Sequence, residues 1–167
     1  MIRQKSEGSI PEAFEIIDFE ASSLDENSYP IEVGLAVAGA GAIESWSSLI
    51  RPTREWVKRD AWSRSSAKVH GITKDMLSEA PFPAVVMPEL NKWLSEFAAV
   101  YCDGGSYDKH WLTELCAAAG GMQPMFRLAD VSLLVGPDPQ RCAQYVELMR
   151  ASKAPTALRQ MQRGSPM

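Results

Sequence analysis

Residues 14 to 22, 30 to 38 and 42 to 50 are apolar or alternating runs rich in Ile, Val and Leu, separated by LDENSYP and GAG. Alternation broken by turn-forming residues predicts three consecutive strands in an antiparallel meander. RPTREWVKRDAWSRSSAKVHGI follows neither the strand nor the helix period and predicts a long surface loop with short helical turns. TKDMLSEA then reads as a helix capped by Thr73, and PAVVMPELNKWLSEFA carries apolar residues at helical spacing around Pro88. AVYCDGG is a predicted strand, and SYDKHWLTELCAAAGG a helix that starts near Ser106 and stops at Gly120-Gly121. FRLADVSLLVG predicts a strand or strand-to-helix passage; DPQRCAQYVELMRASK predicts a helix with Asp138 as cap and Pro139 in its first turn. A meander followed by alternating helices and strands implies an α/β domain, a mixed sheet flanked by helices.

The chain has 167 residues, 46% of them hydrophobic, enough for one core, so a single domain over 1–167 is expected. No apolar run approaches a membrane span, and MIRQKSEGSI lacks the apolar segment of a secretory signal, which leads to the expectation of a cytoplasmic protein with no membrane partner. Cys102, Cys116 and Cys142 are odd in number and widely spaced, so neither a disulfide framework nor a zinc site is indicated, and buried reduced thiols are expected. The net charge of −4 argues against non-specific nucleic-acid binding, yet segments 51–68 and 139–167 each carry a net +4. Such segments fit local contacts to a phosphate chain, or simply a solvated charged face.

FEIIDFEASS places two acids inside an apolar run. Side chains alternate along a strand, so Asp18 and Glu20 share one face with Phe14 and Ile16, their Cα atoms roughly 6.5–7 Å apart. Two carboxylates on a half-buried surface repel each other and lose hydration unless a cation compensates, and Mg²⁺ or Mn²⁺ suits carboxylate oxygen. The competing reading is an exposed strand end with no task.

The surrounding pattern shifts the balance toward the metal. IIDFEASSLDENSYPIEVGLAV, with D-x-E, a short turn and Glu32-Val33-Gly34, resembles the first motif of the DEDDh (DnaQ-like) 3′-to-5′ exonucleases of the ribonuclease H-like superfamily. LIRP, VHGITKDML and VYCDGGSYDKHWL are similar to later stretches of the same family, in order and spacing, over about residues 14 to 135. The resemblance implies a ribonuclease H-like mixed sheet with the three-strand meander plus parallel strands. It implies one or two Mg²⁺ or Mn²⁺ ions held by Asp18, Glu20 and Asp108, and contacts from Ser22 and Ser23 to a terminal nucleotide. The implied substrates are 3′ ends of single-stranded RNA or DNA, or short oligonucleotides, and a homodimer is one implied assembly. Asp103 and Gly104 stand where relatives often carry His and Asn; Asp103 reads as a strand-end turn residue. His70 reads as structural, and His110 lies on a different helix face from Asp108. The five tryptophans are expected in packing, with Trp56 or Trp62, among basic residues, able to stack on a base.

The family's final H-x4-D motif is missing. ASKAPTALRQMQRGSPM contains no His, Asp or Glu, and Thr156 and Met161 stand where the base and the fourth acid would be. Thr156 to Gln162 can be encoded so that a one-base shift reads HRAAADA, if Pro155 ends in C and Gln160 is CAG. Residues 156–167 are accordingly expected to be an aberrant, out-of-frame tail lacking the full final helix. The expectation is a metal-dependent 3′-to-5′ exonuclease with impaired activity; the alternative is a catalytically inactive relative that binds nucleic acid, a nucleotide or a protein partner.

Overall fold

The computed structural model describes residues 13–39 and 42–163, with side chains from 14 to 39 and from 42 to 152. Strands β1 (Ala13–Ala21), β2 (Pro30–Gly39) and β3 (Ala42–Leu49) form the meander that the alternating pattern requires. β4 (Ala99–Cys102) and β5 (Arg127–Asp130) complete a five-stranded sheet of order β3-β2-β1-β4-β5. β1 pairs antiparallel with β2 and parallel with β4, through Ile16 opposite Tyr101. The C-terminal end of β1 therefore lies at the point where the sheet changes direction, a place where ligands commonly bind in open α/β sheets.

Alternation along β1 divides the core in two. Ile17, Phe19 and Ala21 face a large cluster with Val86, Leu90 and Leu94 of α4 (Pro83–Leu94) and Trp111, Leu112 and Leu115 of α5 (Ser106–Ala118). Phe14 and Ile16 face a smaller cluster with Leu134 of α6 (Ser132–Val135) and Leu148 of α7 (Pro139–Arg163). Gly120 and Gly121, both at positive φ, end α5 as the sequence suggested. Asp138 caps α7 by accepting the Gln140 N–H at 2.9 Å.

One expectation, that all three cysteines are buried thiols, needs correction. The segment after β3 holds the short helical turns its pattern predicts, α1 (Arg54–Lys58) and α2 (Arg64–His70), followed by the predicted helix α3 (Lys74–Ser78); each is capped by a hydroxyl, from Thr53, Ser63 and Thr73. Trp56 fastens it to the body, stacked on Tyr29 at 5.5 Å and donating Nε1–H to Glu114 at 2.9 Å. The backbone of α7 extends to Arg163, and the helix packs along β1, β2 and β3. Cys142 is exposed, whereas Cys102 and Cys116 are buried, all three as free thiols. The side chains of Thr156 and Met161 lie outside the described residues. Among the described residues no helix is long and apolar enough to cross a membrane.

Candidate active site

Asp18 and Glu20 leave β1 on the face covered by α7, both half-buried. Asp18 is in register with Gly34 of β2, and Glu20 stands directly opposite Glu32, itself 5% exposed. Opposed residues of an antiparallel pair point to the same side, so a third carboxylate joins this face at a cost in repulsion.

Asp108 arrives from the other element that ends here. β4 runs parallel to β1, and the turn after it, DGGS, enters α5 through Gly105 at φ 55°, a backbone conformation that suits glycine. Asp108, in the first turn of α5, reaches back so that its Oδ2 accepts the Gly104 N–H at 2.9 Å. A side chain at residue 104 would collide with that carboxylate, so Gly104 leaves the space that Asp108 fills. Asp108 is 2% exposed, and burial, with the Asp18 and Asp103 charges acting in the same direction, pushes its carboxyl up to about 6 against the Gly104 hydrogen bond. The coupling brings Asp18 of β1 and Asp108 of α5 into one electrostatic neighbourhood. The Cys102 thiol beside them is pushed up to about 12, first by burial and then by Asp108, which leaves it protonated and inert.

α7 contributes Tyr145 to the same neighbourhood. Its hydroxyl is buried without a hydrogen bond of good geometry, and burial, followed by the charges of Asp103, Asp18 and Asp108, holds its pKa above the usual phenol range. Neither Tyr145 nor the pairing of Glu20 with Glu32 is marked as a site feature by the sequence. The i, i+3 spacing of Tyr145 and Leu148 could have marked the buried face of α7.

Around the end of β1 the remaining candidates separate. Ser22 is fully buried, its hydroxyl accepting the Tyr29 N–H at 3.1 Å, so it builds the wall from within. Ser23 lines a cavity of about 140 Å³ together with Glu20, Leu24, Val69, His70 and Trp111. Leu24 and Val69 are 65% and 86% exposed, apolar lips that the sequence analysis did not single out. His70 is structural, its Nδ1 accepting the Ile72 N–H at 3.0 Å. His110 Nε2 donates to the Ser28 carbonyl at 2.9 Å, and Trp111 Nε1 to the Ser28 hydroxyl at 2.9 Å, which ties α5 to the turn after β1. Trp56, 2% exposed and stacked on Tyr29, is not available to a base.

No family model matches the chain. Over 101 residues, 59% of its length, it is 29% identical to the DNA polymerase III PolC-type of Thermotoga maritima, 7% of which is covered. A solved 3′-exonuclease, described in 3′-end-specific recognition of a histone mRNA stem-loop, superposes with a TM-score of 0.53 at 21% identity, over 66% of this chain and 54% of its own. E. coli Exonuclease I in complex with a 5cy-dA13 oligonucleotide gives 0.53 at 11% identity, over 76% of this chain and 31% of its own. The chain has the fold of the DEDDh 3′-to-5′ exonucleases. It spans about half the length of the first of these structures, a third of the second and a small fraction of the polymerase.

DEDDh exonucleases generally use divalent metal ions. Among the described residues no group of three or more His, Cys, Asp or Glu is gathered closely enough to hold an ion by itself. The donors fit a looser arrangement. Mg²⁺ is commonly held by one or two carboxylates, with water and substrate phosphate filling the rest of its shell. Asp18 and Asp108 offer hard oxygen donors of raised local negative charge, with no Lys or Arg paired to Asp108 among the described residues.

Proposed function

We propose that this chain is a metal-dependent 3′-to-5′ exonuclease acting on single-stranded RNA or DNA ends or short oligonucleotides, with Asp18, Glu20 and Asp108 as its carboxylates. The observation that carries the reading is that Asp108, from α5, is buried within electrostatic reach of Asp18, from β1. On this reading residues ninety positions apart meet at the end of β1, where the Asp18 charge adds to the burial that raises the proton affinity of Asp108, and that arrangement costs stability unless a cation is bound. When bound, one or two divalent ions would polarise the scissile phosphate and supply an attacking hydroxide.

The chain's own residues do the positioning. Gly104 holds the Asp108 carboxylate from behind, Ser22 fixes the turn that follows Glu20, and Ser23 with Leu24 and Val69 borders the cavity that receives a terminal nucleotide. The apolar lips are suited to the faces of a base, and Ser23 to its sugar. Thr156 stands where the resemblance puts the general base, so the expected activity is feeble.

The test is incubation of the purified protein with end-labelled single-stranded RNA and DNA in Mn²⁺ and in EDTA. Shortening from the 3′ end that needs Mn²⁺ and disappears in Asp18→Asn supports the reading. Binding without shortening supports the inactive relative, and neither removes both.

A further inference from the structure

A second cavity, of about 240 Å³, opens in the capped segment after β3 that the carboxylate chemistry does not use. Trp62, half-buried, forms one side, and its indole meets His70 edge-on at 6.1 Å, so this cavity and the one beside Glu20 share a wall. Two cations line it. Arg51 is held in place by its Nε–H donating to the Ala80 carbonyl at 2.9 Å and by its guanidinium lying 4.4 Å over the Phe82 ring. Its Nη atoms make no hydrogen bond among the described residues. Lys74 is exposed, with Nζ 5.4 Å from the Trp62 ring centroid. Opposite them stand the Tyr29 phenol and Asp60, the latter at φ 52°, the one non-glycine at positive φ among the described residues. The segment 51–68 that contributes most of this lining carries a net +4 on an acidic protein.

From this arrangement we infer that the cavity binds a nucleotide, its base on Trp62 and its phosphate between Arg51 and Lys74. The volume falls below the ~300–1,000 Å³ of sites for larger ligands, which suits one ring system and one anionic group. An exposed cation over an aromatic ring gains less than a base stacked on an aromatic side chain. A base therefore displaces the ammonium from the ring, and the displaced ammonium meets the phosphate. Asp60 and the Tyr29 hydroxyl are left to accept from, and donate to, the edge of the base. The choice of a nucleotide over other aromatic anions rests on the proposed exonuclease reading. The occupant is either a released 5′-mononucleotide or an internal nucleotide of a bound strand, because the two present the same ring and phosphate.

The test is calorimetric titration in EDTA of the wild type, Lys74→Gln and Trp62→Leu with AMP, adenosine, inorganic phosphate and a single-stranded oligonucleotide. Lys74 is exposed, so Lys74→Gln keeps the thermal midpoint of the wild type and remains informative should Trp62→Leu fold poorly. Binding of AMP, tighter than that of adenosine or phosphate and weakened at least about tenfold by Lys74→Gln, establishes the cavity as a mononucleotide site. The same loss seen with the oligonucleotide alone makes it part of the strand's path. Affinities for both that are unmoved by Lys74→Gln overturn the inference. Because the titration is run in EDTA and reads binding alone, failure of the exonuclease reading appears separately, as absent shortening in Mn²⁺.

Discussion

The carbonyl oxygen of Ser152 lies 2.6 Å from the point where a Cβ on Gly34 would stand. Gly34 is the register partner of Asp18, so the backbone of α7 rests on the sheet directly beside the first carboxylate. The glycine of the Glu32-Val33-Gly34 stretch is thus a packing requirement: any side chain there meets main chain, which cannot rotate away. Gly34→Ala should lower stability by about 1–3 kcal/mol, the usual cost of overfilling a packed interior. Urea denaturation measures it, and a loss under about 0.5 kcal/mol would mean that α7 has slack over β2.

Gly104 presents the opposite case. A Cβ there would meet the Asp108 carboxylate, the far end of a side chain rather than main chain, so Gly104→Ala should turn Asp108 out of its hydrogen bond, at about 1–3 kcal/mol because the carboxylate is buried. Gly105 has open space around its missing Cβ but a φ of 55°, so Gly105→Ala should cost about 1–3 kcal/mol and leave Asp108 in place. Mn²⁺ affinity, read by paramagnetic relaxation of water, should fall in the first variant and persist in the second. The reverse order would sever Asp108 from the metal.

Glu15 lies on the opposite face of β1 from Asp18 and Glu20, is 5% exposed, and is pushed up to about 7 by burial. Below the ordinary carboxylate range it is protonated whether the chain is folded or not, and it has no effect on stability. Between pH 4.5 and about 7 the unfolded chain releases this proton and the folded protein keeps it, so stability falls as pH rises. Above about 7 the loss is complete, on the order of 3 kcal/mol. Glu15→Gln should match the wild type at pH 4 and exceed it by up to that amount at pH 8. Denaturation curves that stay parallel across this range would show that the buried carboxyl is compensated.

What was legible in the sequence was whatever repeats with a local period. The meander strands fall within a residue or two of their predicted bounds, because alternation specifies both the strand and the face, and the shared face of Asp18 and Glu20 followed from the same rule. In the segment after β3 the sequence shows short helical turns but not how they pack, because its buried residues, Trp56, Ala61, His70 and Ile72, come at irregular intervals. The segment is held by a ring stack on Tyr29 and by hydrogen bonds to Glu114, contacts that leave no period. The nearness of Asp108 to Asp18 depends on the parallel pairing of β1 with β4, a tertiary fact that only family resemblance anticipated. Tyr145 was hidden for the same reason, since a helix pattern shows which face is apolar but not what that face will cover.

The absent H-x4-D motif gives the last prediction. On the proposed reading Asp18, Glu20 and Asp108 would hold a cation and orient a phosphate without a base, whereas proton removal from the attacking water is typically worth about 10² to 10⁴ in rate. The resemblance assigns the base and the fourth acid to positions 156 and 161, both on the backbone of α7, the helix that passes beside Gly34. The double substitution Thr156→His with Met161→Asp should therefore raise Mn²⁺-dependent shortening by at least about tenfold, while Thr156→His alone gives less, because the cation would still lack its fourth carboxylate. The gain should disappear when Asp18→Asn is added, since a base without the metal has no activated water to act on. A double variant that folds with an unchanged thermal midpoint, binds Mn²⁺ and cleaves no faster would show that the motif belongs elsewhere in the chain.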